Sequence, residues 1–267
     1  MSHPDSQVSA EAALALLEHG GLSVTGRLTD ASNVSLVGTV ELDGLAIECI
    51  YKPIRGERPL WDFPDGTLAD REVTAYRISK AAGWDCVPPT LLRDGPFGPG
   101  MVQQWVDATD YDELVDLLPA KKLPAGWLPV LRARDEDGHP LVLAHADDQR
   151  LATLAGFDLV VNNADRKASH ILPTADGRVL GVDHGLTMHS EEKVRSILWG
   201  FAGRALPNVV VEGLQRLRAD RAGLAELTSG FTAPERAAAR RRIGRLLDLG
   251  EFPPPPRDRT PIPWPPL

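Results

Sequence analysis

The stretch Asn162-Asn163-Ala164-Asp165-Arg166-Lys167-Ala168-Ser169-His170-Ile171-Leu172, continued by Pro173-Thr174-Ala175-Asp176-Gly177-Arg178-Val179-Leu180-Gly181-Val182-Asp183-His184-Gly185, decides how this chain is read. Asp176-Gly177 between two apolar runs is the strongest short hairpin signal. A two-residue loop there sets Ala175 opposite Arg178, and therefore Leu172 opposite Gly181, Ile171 opposite Val182 and His170 opposite Asp183. Directly opposed residues share a face with Cβ atoms roughly 5 Å apart. His170 and Asp183 can then hold one cation between them, while Ile171 and Val182 point into the core. Asp165 lies on the loop entering the hairpin, beyond the end of an expected helix over residues 150–161. A loop carboxylate there can accept a proton from an attacking hydroxyl while the cation neutralises phosphate charge. Singly, the three residues read as a turn former, a strand-end histidine and a turn acceptor; their joint placement favours chemistry.

Upstream, residues 22–52 follow period two in the runs LSVTGRL, VSLVGTVEL and LAIECIYK, separated by the polar turns TDASN and DG. Three antiparallel strands follow from that pattern. Lys52 ends the third strand before Pro53, and Asp70 is expected to cap the helix REVTAYRISKAAG, which carries Glu72. VPPTLL and GMVQQWV supply two further extended segments. Beyond Trp105 the pattern predicts helices: one opened by the Asp110–Glu113 capping box, one opened by Asp147 or Asp148, and others over roughly 190–202, 208–228 and 233–248, the last announced by Thr232 and Glu235. Residues 251–267 hold eight of the 23 prolines and are expected to be an extended, mobile tail. The organisation is α+β: an antiparallel-sheet amino lobe over 1–105, joined near 104–107 to a mainly helical carboxyl lobe over 106–250, then the tail.

Composition narrows the function classes. The 267 residues are 43% apolar and 25% charged, values of an ordinary globular protein that exclude a fibrous or wholly disordered chain. A net charge of −8 argues against a nucleic-acid partner, which would need a local basic patch. Arg236, Arg240–Arg242 and Arg245 form a basic helical surface, read first as a solvated helix face and alternatively as a peripheral contact with an anionic membrane. The opening ten residues lack a secretory signal, no apolar run is long enough to span a bilayer, and Cys49 and Cys86 lack metal-type spacing, so a cytoplasmic protein with reduced thiols is expected. The tail's two PxxP patterns, at 253–256 and 263–266, are a candidate partner motif. Only six basic residues are lysines, among them Lys52 and Lys167.

Four pieces in order, IYKP with Lys52, REVTAY with Glu72, NADRKASH with Asp165 and GVDHGLTMH with Asp183, resemble the phosphatidylinositol 3-/4-kinase branch of the protein-kinase-like superfamily, including an actinobacterial phosphatidylinositol-kinase-like group. The resemblance implies a two-lobed protein-kinase-like fold and transfer of the γ-phosphate of ATP to a hydroxyl of a lipid, protein or small molecule, with Mg²⁺ or Mn²⁺. It further implies that Lys52 contacts the ATP phosphates, Glu72 steadies Lys52, and Gln103, Gln104, Trp105 and Val106 form the hinge beside adenine. Asp165 would be the catalytic base, Lys167 would lie near the transferred phosphate, and Asp183 would bind the metal ion. His170 stands where the family usually has a metal-binding Asn, five residues after the base, and an imidazole suits Mn²⁺ better than Mg²⁺. No GxGxxG occurs; Ser32 and Asn33, in a polar turn, are candidate phosphate holders, with an ordinary hairpin turn as the alternative. The missing Asn and glycine loop motivate a second reading, a nucleotide-binding pseudokinase acting as a scaffold. A third is a hydrolytic metal site built from Asp165, His170, Asp183, His184 and His189.

Overall fold

In the computed structural model, which describes residues 8–28 and 33–267, the period-two region forms β1 (Gly21–Arg27), β2 (Leu36–Leu42) and β3 (Leu45–Pro53) as an antiparallel meander. Strands β4 (Thr90–Gly95) and β5 (Gly98–Gln104) complete a five-stranded sheet in the order β1-β2-β3-β5-β4. Helix α1 (Ala10–His19), capped by Ser9, lays Leu16 and Leu17 on Val40, Cys49, Tyr51 and Val102. Helix α2 (Leu68–Ala82) covers the other face, where Ala69 and Val73 meet Met101. Its N-cap is Thr67, not Asp70: the Thr67 hydroxyl accepts the Asp70 N–H and donates to the Asp70 carboxylate. Asp70 instead sits in the first turn, where a negative charge meets the positive end of the helix dipole.

The carboxyl-terminal region is built around α3 (Gln149–Val161), whose Leu151, Leu154 and Phe157 share one core with α4 (Asn208–Ala219) and α6 (Ala233–Leu249) through Val210, Leu214, Ile243 and Leu246. Asp148 caps α3, and Thr232 with Glu235 forms the expected capping box of α6. The fold class holds: α+β, with an antiparallel sheet first and helices after. Several local expectations do not. Residues 110–119 make no helix; β6 (Val115–Pro119), β7 (Trp127–Arg134) and β8 (Pro140–Ala146) form a second antiparallel sheet in the order β6-β8-β7. Pro119 would stop a helix there after two turns, too few to sustain one alone, and pairing with β8 prevails.

The expected helix over 190–202 is irregular chain ending in one short turn, Trp199–Phe201, because its backbone amides serve distant partners: Arg195 N–H bonds Asn163, Ser196 bonds Pro261 and Ile197 bonds Arg166. The segment 208–228 divides at Asp220, which caps the short α5 (Arg221–Leu227). The tail has no helix or continuous strand, as its composition dictates, yet it is docked rather than free. Phe252 stacks on Phe201, the Pro261 carbonyl accepts from Ser196 N–H and Trp199 Nε1, and the Pro266 carbonyl accepts from Ala168 N–H. Proline removes a donor but keeps its acceptor, and every one of these bonds uses that acceptor. Among the described residues no helix is long and apolar enough to cross a membrane.

One buried ion pair joins the two regions. Arg71 on α2 bonds Glu235 on α6 at 2.8 Å and the Thr187 carbonyl at 2.6 Å, with its guanidinium between the rings of Phe63 and Phe231. The next residue on α2 is Glu72, so this anchor sets the helix that carries it.

Candidate active site

Lys52 projects from β3 with its Nζ 2.7 Å from Glu72 Oε1 and 3.0 Å from Asp183 Oδ1. Glu72, 2% exposed, uses its second oxygen to accept the His184 N–H at 2.9 Å. One carboxylate thus ties the sheet lysine to the loop of Asp183. Asp183 holds a left-handed backbone (φ 59°), a conformation a non-glycine residue keeps only where its surroundings impose it. Burial disfavours charge on Lys52, but Asp183 and Glu72 outweigh it and raise its pKa, so the ammonium persists. Lys52 in turn pulls Asp183 well below the ordinary carboxylate range, while burial pushes Glu72 upward.

Asp165 is half-buried, its carboxylate 3.4 Å from Lys167 Nζ. Burial raises its pKa and Lys167 partly offsets the rise. Its loop is held from below by Arg166, fully buried, which makes a two-pronged pair with Asp158 of α3 at 2.8 Å on each prong and also donates to the carbonyls of His170 and Val182. Nothing in spacing singled out Arg166 or Asp158. The available signal was an arginine inside a run whose every neighbour is a candidate site residue.

The hairpin of β9 (Ile171–Pro173) and β10 (Val179–Gly181) is in a register one residue away from that expected: Ile171 pairs with Gly181 and Leu172 with Leu180. The loop has three residues, Ala175 to Gly177, closed by the Thr174 N–H to Arg178 carbonyl bond, with Gly177 in the left-handed region (φ 84°). The Thr174 hydroxyl, bonded to Asp176 and accepting from Arg178 N–H, favours this loop over the two-residue one. His170 is therefore opposite Val182, and Val182 lines the cleft instead of the core. His170 and Asp183 still meet, because His170 lies in a short 3₁₀ turn, Ala168–His170, that swings its ring across: Nε2 is 3.4 Å from Asp183 Oδ2.

The ring's protonation follows from its other nitrogen. Nδ1 is 2.9 Å from the Asp165 carbonyl oxygen, which can only accept, so the proton is on Nδ1 and Nε2 offers a lone pair. Burial lowers the His170 pKa to about 4, keeping it neutral. A lone pair facing a carboxylate oxygen with no proton between them is a donor set for a cation, and it fits the divalent ion that the resemblance implies. Among the described residues no three His, Cys, Asp or Glu side chains are grouped so that they could hold one metal ion, so the five-residue hydrolytic site is not formed.

All these groups open on one cleft of about 890 Å³ between the sheet and the helical region. Leu28, Val34 and Ile50 line it from the sheet and Leu172 and Val182 from the hairpin, with Gln103, Gln104, Trp105 and Val106 along one edge. Asn33 also lines it, and its side chain accepts the Arg58 N–H. Ser32 lies outside the described residues. No protein-family model matches the chain. It is 50% identical over 263 residues to protein Rv2133c of Mycobacterium tuberculosis (strain ATCC 25618 / H37Rv), an alignment covering 94% of each chain. The chain belongs to the family of protein Rv2133c.

Among solved structures, the Helicobacter pylori proinflammatory kinase CtkA is similar over 88% of this chain and 94% of its own, with 9% identity and a TM-score of 0.44. A likeness that distant assigns no chemistry. In this member of the Rv2133c family the cleft itself brings together Lys52, Glu72, Asp165, Lys167, His170 and Asp183, together with Asn33 and the edge residues 103–106. The tail reaches the same cleft through Pro265 and Leu267, which composition could not disclose.

Proposed function

We propose that this protein is a metal-dependent kinase that binds ATP in the cleft and transfers its γ-phosphoryl group to a hydroxyl acceptor. The observation that carries this reading is Lys52 Nζ held between Glu72 and Asp183 in the cleft that also holds Asp165 and Lys167. A cleft lined by Leu28, Val34, Ile50, Leu172 and Val182 with a polar edge suits a nucleotide base. Beyond it, Lys52 is a fixed cation for phosphate oxygens, and Lys167 is a second cation beside the base. His170 Nε2 and Asp183 are the residues that would hold a divalent ion, which when bound neutralises charge on the phosphates. Asp165, raised by burial, accepts the acceptor hydroxyl's proton and orients its oxygen.

The test is consumption of ATP by the purified full chain with Mn²⁺ or Mg²⁺. Asp165→Asn should abolish turnover while leaving nucleotide binding intact, and undiminished turnover in that variant would remove Asp165 from its role. Nucleotide binding with no turnover under any metal would select the scaffold reading, which His170 in place of Asn motivates. Lipid, protein and small-molecule acceptors all remain compatible with the cleft, since this arrangement acts on the hydroxyl and not on what carries it.

A further inference from the structure

At the edge of the cleft a chain of hydrogen bonds fixes one amide. Thr90 on β4 and Gln103 on β5 are directly paired. The Thr90 hydroxyl lies 2.7 Å from the Pro88 carbonyl oxygen, which can only accept, so the hydroxyl gives its single proton there. Thr90 Oγ1 can then only accept from Gln103, 2.8 Å away, and the Gln103 atom facing it must be the amide nitrogen. An orientation that is normally ambiguous is thereby settled. Gln103 Oε1 is left with no protein partner among the described residues, yet it is not sealed in the interior. Across the other ladder Gln103 pairs with Ile50, two residues before Lys52, so all three share the cleft face of the sheet.

We propose that Gln103 Oε1 selects the base of the nucleotide, accepting from the exocyclic 6-amino group of adenine and rejecting the 6-oxo group of guanine or hypoxanthine. This rests on the nucleotide-binding reading above and adds to it which purine the cleft accepts and what enforces the choice. Gln103 is only 5% exposed, so an oxo group brought against Oε1 leaves two acceptors facing each other with no water to bridge them. Discrimination by an unmatched buried polar group is large, and at least about tenfold is expected here. Thr90 is the positioning residue: without its hydroxyl the amide can turn and offer its N–H₂ to a 6-oxo base.

The experiment is equilibrium binding of ATP, GTP and ITP to the full chain with Mn²⁺, for the wild type, Thr90→Val and Gln103→Leu, with thermal melting as the check on folding. ITP differs from ATP at the 6-position without the 2-amino group of GTP, so it isolates the contact. The wild type should prefer ATP over both ITP and GTP by about tenfold or more, and the preference over ITP should shrink at least about fivefold in each folded variant. Equal binding of ATP and ITP by the wild type, or an unchanged preference in both variants, overturns the role of Gln103 alone. Failure of all three nucleotides to bind overturns the nucleotide reading and this inference with it.

Discussion

Glu72 accepts the backbone N–H of His184 at 2.9 Å, a bond between residues 112 positions apart in the chain. The other Glu72 oxygen holds Lys52, so the carboxylate sets the distance between the sheet lysine and the Asp183 loop. Glu72→Ala should lower kcat/KM for ATP turnover by roughly 10²-fold, because Lys52 then leans on Asp183 alone and the charge array loses its preorganisation. Glu72→Gln, which keeps a carbonyl oxygen for His184, should cost less; steady-state kinetics of the two variants check the order.

Asp165 must be ionised to accept a proton, and its pKa is raised by burial and held down by Lys167. Turnover should therefore fall as pH drops through a value above the ordinary aspartate range. Removing the opposing cation in Lys167→Met should move that acid limb to higher pH. A pH–rate profile of kcat for both proteins shows it, and an unmoved limb would detach Lys167 from Asp165.

The neutral imidazole of His170 offers nitrogen where an oxygen ligand would suit Mg²⁺. His170→Asn should shift relative activity toward Mg²⁺, lowering the Mn²⁺-to-Mg²⁺ activity ratio by about tenfold, one order in ligand preference. Titration of each metal against ATP turnover measures the ratio.

Arg166 is fully buried and its charge is matched by Asp158. Asp158→Ala strands that guanidinium, at a cost of about 3–5 kcal/mol. For a chain of this size the melting temperature should fall by about 10 °C. Turnover should be lost in parallel, because the carbonyls of His170 and Val182 hang from the same arginine.

His145, fully buried against Phe201, is kept neutral, its pKa lowered by burial to about 4. The unfolded chain binds that proton near pH 6.5 and the folded one near 4, so stability is complete above 6.5 and declines as pH falls toward 4. His145 contributes about 3 kcal/mol to the decline. Urea unfolding at pH 7 and pH 4.5 should show a smaller loss for His145→Gln than for the wild type; His170 and His184, also held neutral, keep the remainder.

The amino-terminal sheet was legible because its strands alternate over long runs and its turns are short. Lys52, Glu72, Asp165 and Asp183 were legible as candidates because Lys52 ends a strand before Pro53, Glu72 lies inside a capped helix, and Asp165 and Asp183 flank an Asp-Gly hairpin. The β6-β8-β7 sheet was not, since a capping box followed by the apolar positions Leu114, Val115, Leu117 and Leu118 suits a helix until β8 pairs with it. The hairpin register was missed by one residue because Asp-Gly serves both two- and three-residue loops, and the Thr174 side chain that chooses between them acts through space. Arg166 and Asp158 lie eight residues apart and read as ordinary charges until the fold removes water from both.

The docked tail has one more effect, on how molecules of this protein meet each other. With Pro253–Pro256, Pro261, Pro263, Pro265 and Pro266 it offers carbonyls but few amide protons, and the Pro261 and Pro266 carbonyls are already engaged. A strand poor in donors cannot template the next one, so the segment covers a flank of the helical region without creating an edge for a neighbouring chain to extend into fibrils.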